Sequence, residues 1–418
     1  MILFLHNRYR TTGGEERVVD ELVRLVQERL GEPAELLTRD SVGVGQARAA
    51  VGLLRGGLAP REVAKAVRLT GARVVHAHNL NPLLGWRALA AARAEGARVV
   101  VHLHQYRLVC ATGVCFTGGE ECTRCHGRNT LPGVIRNCRG ARAEALAYGA
   151  SLAMWQGRLV EQADAVIVPS VFARERLREL GAPLDFERVH VLAPPVRMPG
   201  EIPPGTGGDS TRGHGEVPGP AAGAVAPGLD PRGPAAGSYA LVVSRLAPEK
   251  GVDVAIDACR MAGVPLIVAG DGPERETLRA CVGQAKLEEY HPHVGRGEVR
   301  FVGRVDDAEL DRLRRGAALA LVPSRSAETF GMAAAEAMAA GLPVVASRIG
   351  ALTELVEESA LVEPGDAIEL AAAIERLWAD ASAGERGRAR VRELCGPDVV
   401  AEGLRAVYGT NRVGGRRV

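Results

Sequence analysis

Apolar residues recur along this chain in two alternating rhythms. Short runs that are apolar almost throughout, at 2–5, 73–76, 98–103, 165–168 and 189–192, alternate with stretches whose apolar positions return every three or four residues. Between the first two runs, Val18, Val19, Leu22, Val23 and Val26 fall on one face of a predicted helix over 15–30. Runs without polar alternation suit strands covered on both faces, so the pattern predicts a parallel α/β sheet. Over residues 199–237 the rhythm stops, and Gly, Pro, Ala and Ser dominate. Such a stretch cannot bury enough apolar surface to offset its ordering entropy, and it reads as a flexible linker or insertion. Its length exceeds that of ordinary loops and marks a domain boundary. Strands are predicted again at 239–243, 266–269, 299–302, 318–322, 343–346 and 360–362, with helices between them.

The expected organisation is a first domain over 1–198, a linker over 199–237 and a second domain over 238–396. A terminal helix over 397–410 could pack on either domain, and the Gly/Arg-rich tail over 411–418 reads as disordered. Open α/β sheets bind ligands beyond the carboxyl ends of their strands, so two such sheets predict a shared cleft.

Composition narrows the class. With 418 residues, 46% hydrophobic and 24% charged, the chain is long enough for two cores. The net charge is +2 and no basic stripe carries interleaved aromatics, which argues against nucleic acid as a partner. No run reaches about 18 apolar residues, and the apolar start is broken at His6-Asn7-Arg8, so a cytosolic protein is expected, with peripheral membrane contact left open.

The sharpest local pattern is Glu328-Thr329-Phe330-Gly331-Met332-Ala333-Ala334-Ala335-Glu336, followed by Ala337-Met338-Ala339-Ala340-Gly341-Leu342-Pro343. Glu328 precedes a helix that starts near Gly331, and Glu336 lies inside that helix. Free N–H groups and the positive dipole end at such a start suit a diphosphate. A glycosidase pair would need two carboxyl groups facing one bond, whereas these two occupy successive zones. Arg245 and Lys250, in Val243-Ser244-Arg245-Leu246-Ala247-Pro248-Glu249-Lys250-Gly251, follow a predicted strand and place two cations where a diphosphate leaving group could be neutralised.

These motifs resemble those of family 4 glycosyltransferases of the GT-B fold, in which two Rossmann-like domains face each other across a cleft. The resemblance covers both domains and excludes the linker and tail. It implies that Glu328 contacts hydroxyls of the donor sugar, that Glu336 holds the ribose, and that Phe330, Gly331 and Met332 lie near sugar and phosphate. It gives Arg245 and Lys250 the diphosphate, and the segment with Gly303 and Arg304 the nucleotide base. In the first domain it implies that the loop with Gly13 and Gly14, in Thr12-Gly13-Gly14-Glu15-Glu16, reaches across the cleft. His104, just past the run at 98–103, is the implied active-site histidine; His76 and His78 stand on the preceding strand with less specific support. Asp271, in Ala269-Gly270-Asp271-Gly272-Pro273, also reads as an ordinary cap. Leu192-Ala193-Pro194-Pro195-Val196 departs from relatives that carry Asn-Gly there, and the insertion at 199–237 is unusually long.

Five of the eight cysteines lie between Cys110 and Cys138. Cys122 and Cys125 have the Cys-x2-Cys spacing of a zinc knuckle, which Cys110 and Cys138 could complete as a structural site. Unligated thiols and a redox disulfide are the alternatives. Some bacterial members of the family carry a similar cysteine-bearing insertion.

The resemblance implies a retaining transfer of sugar from a UDP-, GDP- or ADP-linked donor to a hydroxyl acceptor, lipid-linked or oligosaccharide among the choices. Cell-envelope polysaccharide, glycolipid or glycoconjugate synthesis is the expected setting. No Asp-x-Asp motif is present, so no cofactor is expected for catalysis. A sugar-nucleotide epimerase or another GT-B enzyme, and a zinc-stabilised binding protein with an inactive cleft, are the competing readings.

Overall fold

A computed structural model describes residues 1–8, 13–198, 237–282 and 297–409. The expected linker, except Gly237, and the expected tail lie outside the described residues, as does Thr12.

The first half forms β1 (Ile2–Arg8), β2 (Ala34–Asp40), β3 (Val74–Ala77), β4 (Arg98–His102), β5 (Phe116–Thr117), β6 (Glu120–Glu121), β7 (Ala165–Val168) and β8 (Val189–Val191). The second forms β9 (Tyr239–Val243), β10 (Leu266–Ala269), β11 (Val299–Gly303), β12 (Ala317–Val322), β13 (Val344–Ser347) and β14 (Leu361–Val362). Two six-stranded sheets result, ordered β2-β1-β3-β4-β7-β8 and β11-β10-β9-β12-β13-β14. Every pairing within them is parallel, and β5 and β6 form a small antiparallel hairpin apart.

The nearly all-apolar runs are all strands of these sheets, because a strand buried on both faces has no polar side to show. Strand β2 has no counterpart among the predicted runs. It lies at a sheet edge, and Glu35, Thr38, Arg39 and Asp40 leave it without a clear apolar pattern. The helix Gly14–Arg29 carries Val18, Val19, Leu22 and Val26 inward, as its periodicity requires.

The terminal helix Pro397–Tyr408 packs on the first domain. Its Val400, Ala401, Leu404, Val407 and Tyr408 share a core with Ile2, Phe4, Val18, Leu22, Val74 and Val100. The preceding helix, Ala381–Cys395, contributes Val391 and Cys395 to the second domain's core. The chain therefore crosses between the domains at Gly396, beside the earlier crossing near Val196, whose N–H donates to the Cys395 carbonyl at 3.2 Å.

Candidate functional site

In the second domain the loops at the carboxyl ends of the strands are fastened to one another through backbone. The Gly270 N–H donates to the Gly303 carbonyl at 2.7 Å, and the Leu246 N–H to the Asp271 carbonyl at 3.0 Å. The Arg325 N–H donates to the Glu249 carbonyl at 2.8 Å, which joins the loop after β12 to the loop after β9. Such fastening holds charged side chains in place without spending them on the scaffold.

Glu328 stands on the loop after β12. Its Oε1 accepts from the Lys250 ammonium at 2.5 Å and from the Ser324 hydroxyl at 2.7 Å. Burial works against its charge, but Lys250 and Ser324 outweigh that and hold the carboxyl below its usual range. Gly350 clasps the same residue from behind. It takes φ +61°, and a Cβ there would meet the Glu328 nitrogen at 2.6 Å, so only glycine lets the two backbones approach.

The helix Met332–Ala339 begins after Gly331, which has φ +100° and faces Leu352 where a Cβ would sit at 2.6 Å. Phe330 is buried in the second core, and Met332 packs against the cores of both domains. Glu336 is ion-paired with Arg314, a residue with no distinguishing sequence pattern. Arg245 pairs with Glu249 and is half exposed, so Arg245 and Lys250 each carry a carboxylate partner. Gly303 ends β11 and Arg304 is exposed beside it.

The first domain offers a different kind of surface. His104 follows β4, and its Nε2 lies 2.8 Å from Nδ1 of His78. His78 itself is buried among His76, His102 and Phe4, with ring centroids 4.4, 5.2 and 5.8 Å away. His76 bonds the Tyr408 hydroxyl through Nδ1 at 2.7 Å, a contact that exists only because the terminal helix docks here. Burial keeps all four histidines below their ordinary pKa, His76 at about 3, so they are neutral at pH 7. For His104 the nearby Glu15 and Glu16 pull the other way without reversing the shift. Ligand nitrogens of His76, His78 and His102 come within 4.8 Å of one another.

Gly13 caps the helix Gly14–Arg29, and its N–H donates to the Glu16 carboxylate at 2.8 Å. The positions where Gly14 would carry a side chain are open. In front of His104 a cleft of about 720 Å³, counting space open to solvent, is lined by Glu15, Asn79, Trp86, Gln105 and Trp155 among others.

Thr329, Ser170 and Glu354, to which the motifs gave no role, are among the residues that bridge the domains. The Thr329 hydroxyl donates to the His104 carbonyl at 2.8 Å, and Ser170 donates to the Thr329 carbonyl at 2.7 Å. Glu354 accepts from the N–H groups of Val171 and Phe172, capping the first-domain helix Val171–Glu179 from the second domain. Glu328 and His104 are thus joined through one intervening residue, Thr329.

Residues 9–195 match the family described as "Glycosyl transferase 4-like domain", and residues 237–380 match "Glycosyl transferases group 1". The chain belongs to the family 4 glycosyltransferases. Among related glycosyltransferases, D-inositol 3-phosphate glycosyltransferase of Jonesia denitrificans is 30% identical over 283 residues, covering 66% of this chain and 62% of that protein. Phosphatidyl-myo-inositol mannosyltransferase of Mycobacterium leprae is 34% identical over 183 residues, covering 41% of this chain and 46% of that protein. The chain therefore spans less than two thirds of these relatives. Its GT-B fold is shared with solved structures. Sucrose-phosphate synthase from Thermosynechococcus elongatus aligns with a TM-score of 0.62 at 18% identity, covering 98% of both chains. Anabaena Alr3699/HepE in complex with UDP and glucose aligns with a TM-score of 0.57 at 19% identity, covering 97% of this chain and 98% of that one.

The expected metal ligands Cys110, Cys122, Cys125 and Cys138 all line one cavity of the first domain, together with Cys115. All five are free thiols. Among the described residues no helix is long and apolar enough to cross a membrane.

Proposed function

We propose that this glycosyltransferase moves a sugar from a nucleotide-sugar donor to a hydroxyl acceptor with retention of anomeric configuration. The observation that carries the reading is the Lys250–Glu328 pair, set one residue from the Thr329 contact with His104. It brings an ammonium suited to a leaving diphosphate and a carboxylate suited to sugar hydroxyls beside the face of the other domain.

In this reading Lys250 and Arg245 take the diphosphate, and the free N–H groups at the start of the helix Met332–Ala339 add to the field. Glu328 orients the sugar, and Glu336 takes the ribose with Arg314 holding it in place. His104 faces the reacting sugar as a neutral ring. Gly303 and Arg304 border the base, while Gly13 and Gly14 leave room at the opposite wall. The bond from the anomeric carbon to the phosphate oxygen breaks on the face where the acceptor oxygen bonds. The acceptor proton passes to the departing phosphate oxygen, so no protein base is required. The cleft with Trp86 and Trp155 receives the acceptor. UDP-, GDP- and ADP-sugars are the candidate donors. A lipid-linked or oligosaccharide acceptor of envelope or glycoconjugate synthesis, met from the cytoplasm or at the membrane surface, suits the inositol-lipid relative.

The test is a thermal-shift screen of the full chain against the three donor classes, followed by NMR of the product's anomeric proton. A stabilising donor and a retained configuration are expected. Absence of any stabilising donor, or an inverted product, would overturn the proposal.

A further inference from the structure

The segment from Cys110 to Gly140 is poor in the means by which small folds hold together. It contains two strands of two residues each and one five-residue helix, Leu131–Ile135. Among its residues Ala111 and Cys115 are the buried apolar ones, whereas Leu131 and Ile135 are 59% and 74% exposed. Segments with so little core normally rely on cross-links or a metal. Two of the three non-glycine residues with positive φ among the described residues lie here, Cys115 and Asn137, the latter beside Cys138. Strained backbone of this kind persists where the surroundings dictate it.

What the segment does bury is sulfur. Cys110, Cys115, Cys122, Cys125 and Cys138 converge on one cavity from the loop after His104, both ends of the hairpin and the end of the short helix. Cys115 and Cys122 flank the hairpin, whose register pairs Phe116 with Glu121, and the Cys122 N–H donates to the Cys115 carbonyl at 2.7 Å. Cys110 and Cys115 are neighbours within the cavity. Cys125 follows in the Cys-x2-Cys turn and packs against Gly133, where a Cβ would lie 3.4 Å from its sulfur. Cys138 is turned instead towards the Thr117 hydroxyl at 3.8 Å.

We infer that this cavity is a structural site for one zinc-class divalent cation, held by Cys110, Cys115, Cys122 and Cys125. Cys115 thereby takes the place that spacing alone assigned to Cys138. A tetrahedral thiolate site needs four sulfurs close around the ion. The thiols do not yet form a set of three within 4.8 Å of one another, so the ion draws the turn inward. The hairpin can follow, since its Gly118 and Gly119 are exposed and face open space. His76, His78 and His102 are nearer together, but the His76 and His102 rings lie parallel within 6°. Their in-plane lone pairs run side by side and do not converge on an ion.

The test is elemental analysis of the full chain, expressed with zinc and purified under reducing conditions, with cobalt(II) substitution as a second readout. About one zinc per chain is expected, lost in Cys122→Ser and Cys115→Ser and retained in Cys138→Ser. Cobalt should give tetrahedral d–d bands and intense thiolate charge transfer in the unaltered chain, which requires no variant to fold. Folded metal-free protein, cobalt bound without thiolate absorption, or zinc lost on His76→Ala and kept in Cys122→Ser would overturn the site. Zinc lost in Cys138→Ser and kept in Cys115→Ser would overturn the ligand set.

Discussion

The two walls of the cleft solve opposite electrostatic problems. On the second domain, Lys250–Glu328, Arg314–Glu336 and Arg245–Glu249 are opposite charges in contact, fixed by loops stitched backbone to backbone. On the first, His76, His78, His102 and His104 are rings that burial keeps neutral. A wall of paired ions can re-partner with an arriving anion, because each cation is already held in position by a carboxylate. A wall of neutral rings gives shape and hydrogen bonds without attracting the anion to the wrong side. The asymmetry is what the proposed mechanism rests on, with the diphosphate on the charged wall and the acceptor on the neutral one.

The largest expected effect tests the charged wall. Glu328→Ala should lower turnover by about 100- to 1000-fold, on the scale of losing one group that stabilises a transition state. Steady-state rates with the donor found by the screen would measure it, and a change of under threefold would remove Glu328 from the site. Lys250→Ala should weaken nucleoside diphosphate binding by about 10- to 100-fold and leave the nucleoside nearly unaffected. Calorimetry with both ligands separates a phosphate contact from general damage.

The neutral wall predicts a pH effect that the charged wall does not share. The folded pKa values of His76, His78 and His102 lie below 6.5, so the unfolded chain binds protons first as pH falls. Stability is therefore fully present above pH 6.5 and declines below it, by about 1.4 kcal/mol per pH unit for each histidine. Glu328, with its pKa lowered, keeps its contribution above about pH 4.5, and loses it as pH falls further through its folded value. Chemical denaturation at pH 7.5 and 5.5 should show the first domain weakening by a few kcal/mol while the second is nearly unchanged. Equal losses in both domains would contradict the division drawn here.

The smallest effect concerns the seam. Glu354→Ala removes the cap that the second domain supplies to the helix Val171–Glu179, and should cost about 0.5–2 kcal/mol. Hydrogen exchange at Val171 and Phe172 should quicken, with exchange in β9–β13 unchanged.

Much of this protein is written locally. Strand runs, helical faces, the Glu328–Glu336 spacing and the Arg245–Lys250 turn are short-range patterns, and their period or order survives in a single sequence. Strand β2 and the hairpin did not show, because an edge strand and two-residue strands impose no apolar alternation to read. Partnership was settled only by the tertiary structure. Lys250 meets Glu328 across 78 residues because the sheet order places β9 beside β12, and Arg314 meets Glu336 across 22, from the helices that precede and follow β12. The docking of Pro397–Tyr408 on the first domain, which completes the histidine cluster through Tyr408, depends on which apolar surface remains uncovered once both sheets are built. An amphipathic helix specifies that one face will be buried; the rest of the fold supplies the surface that buries it.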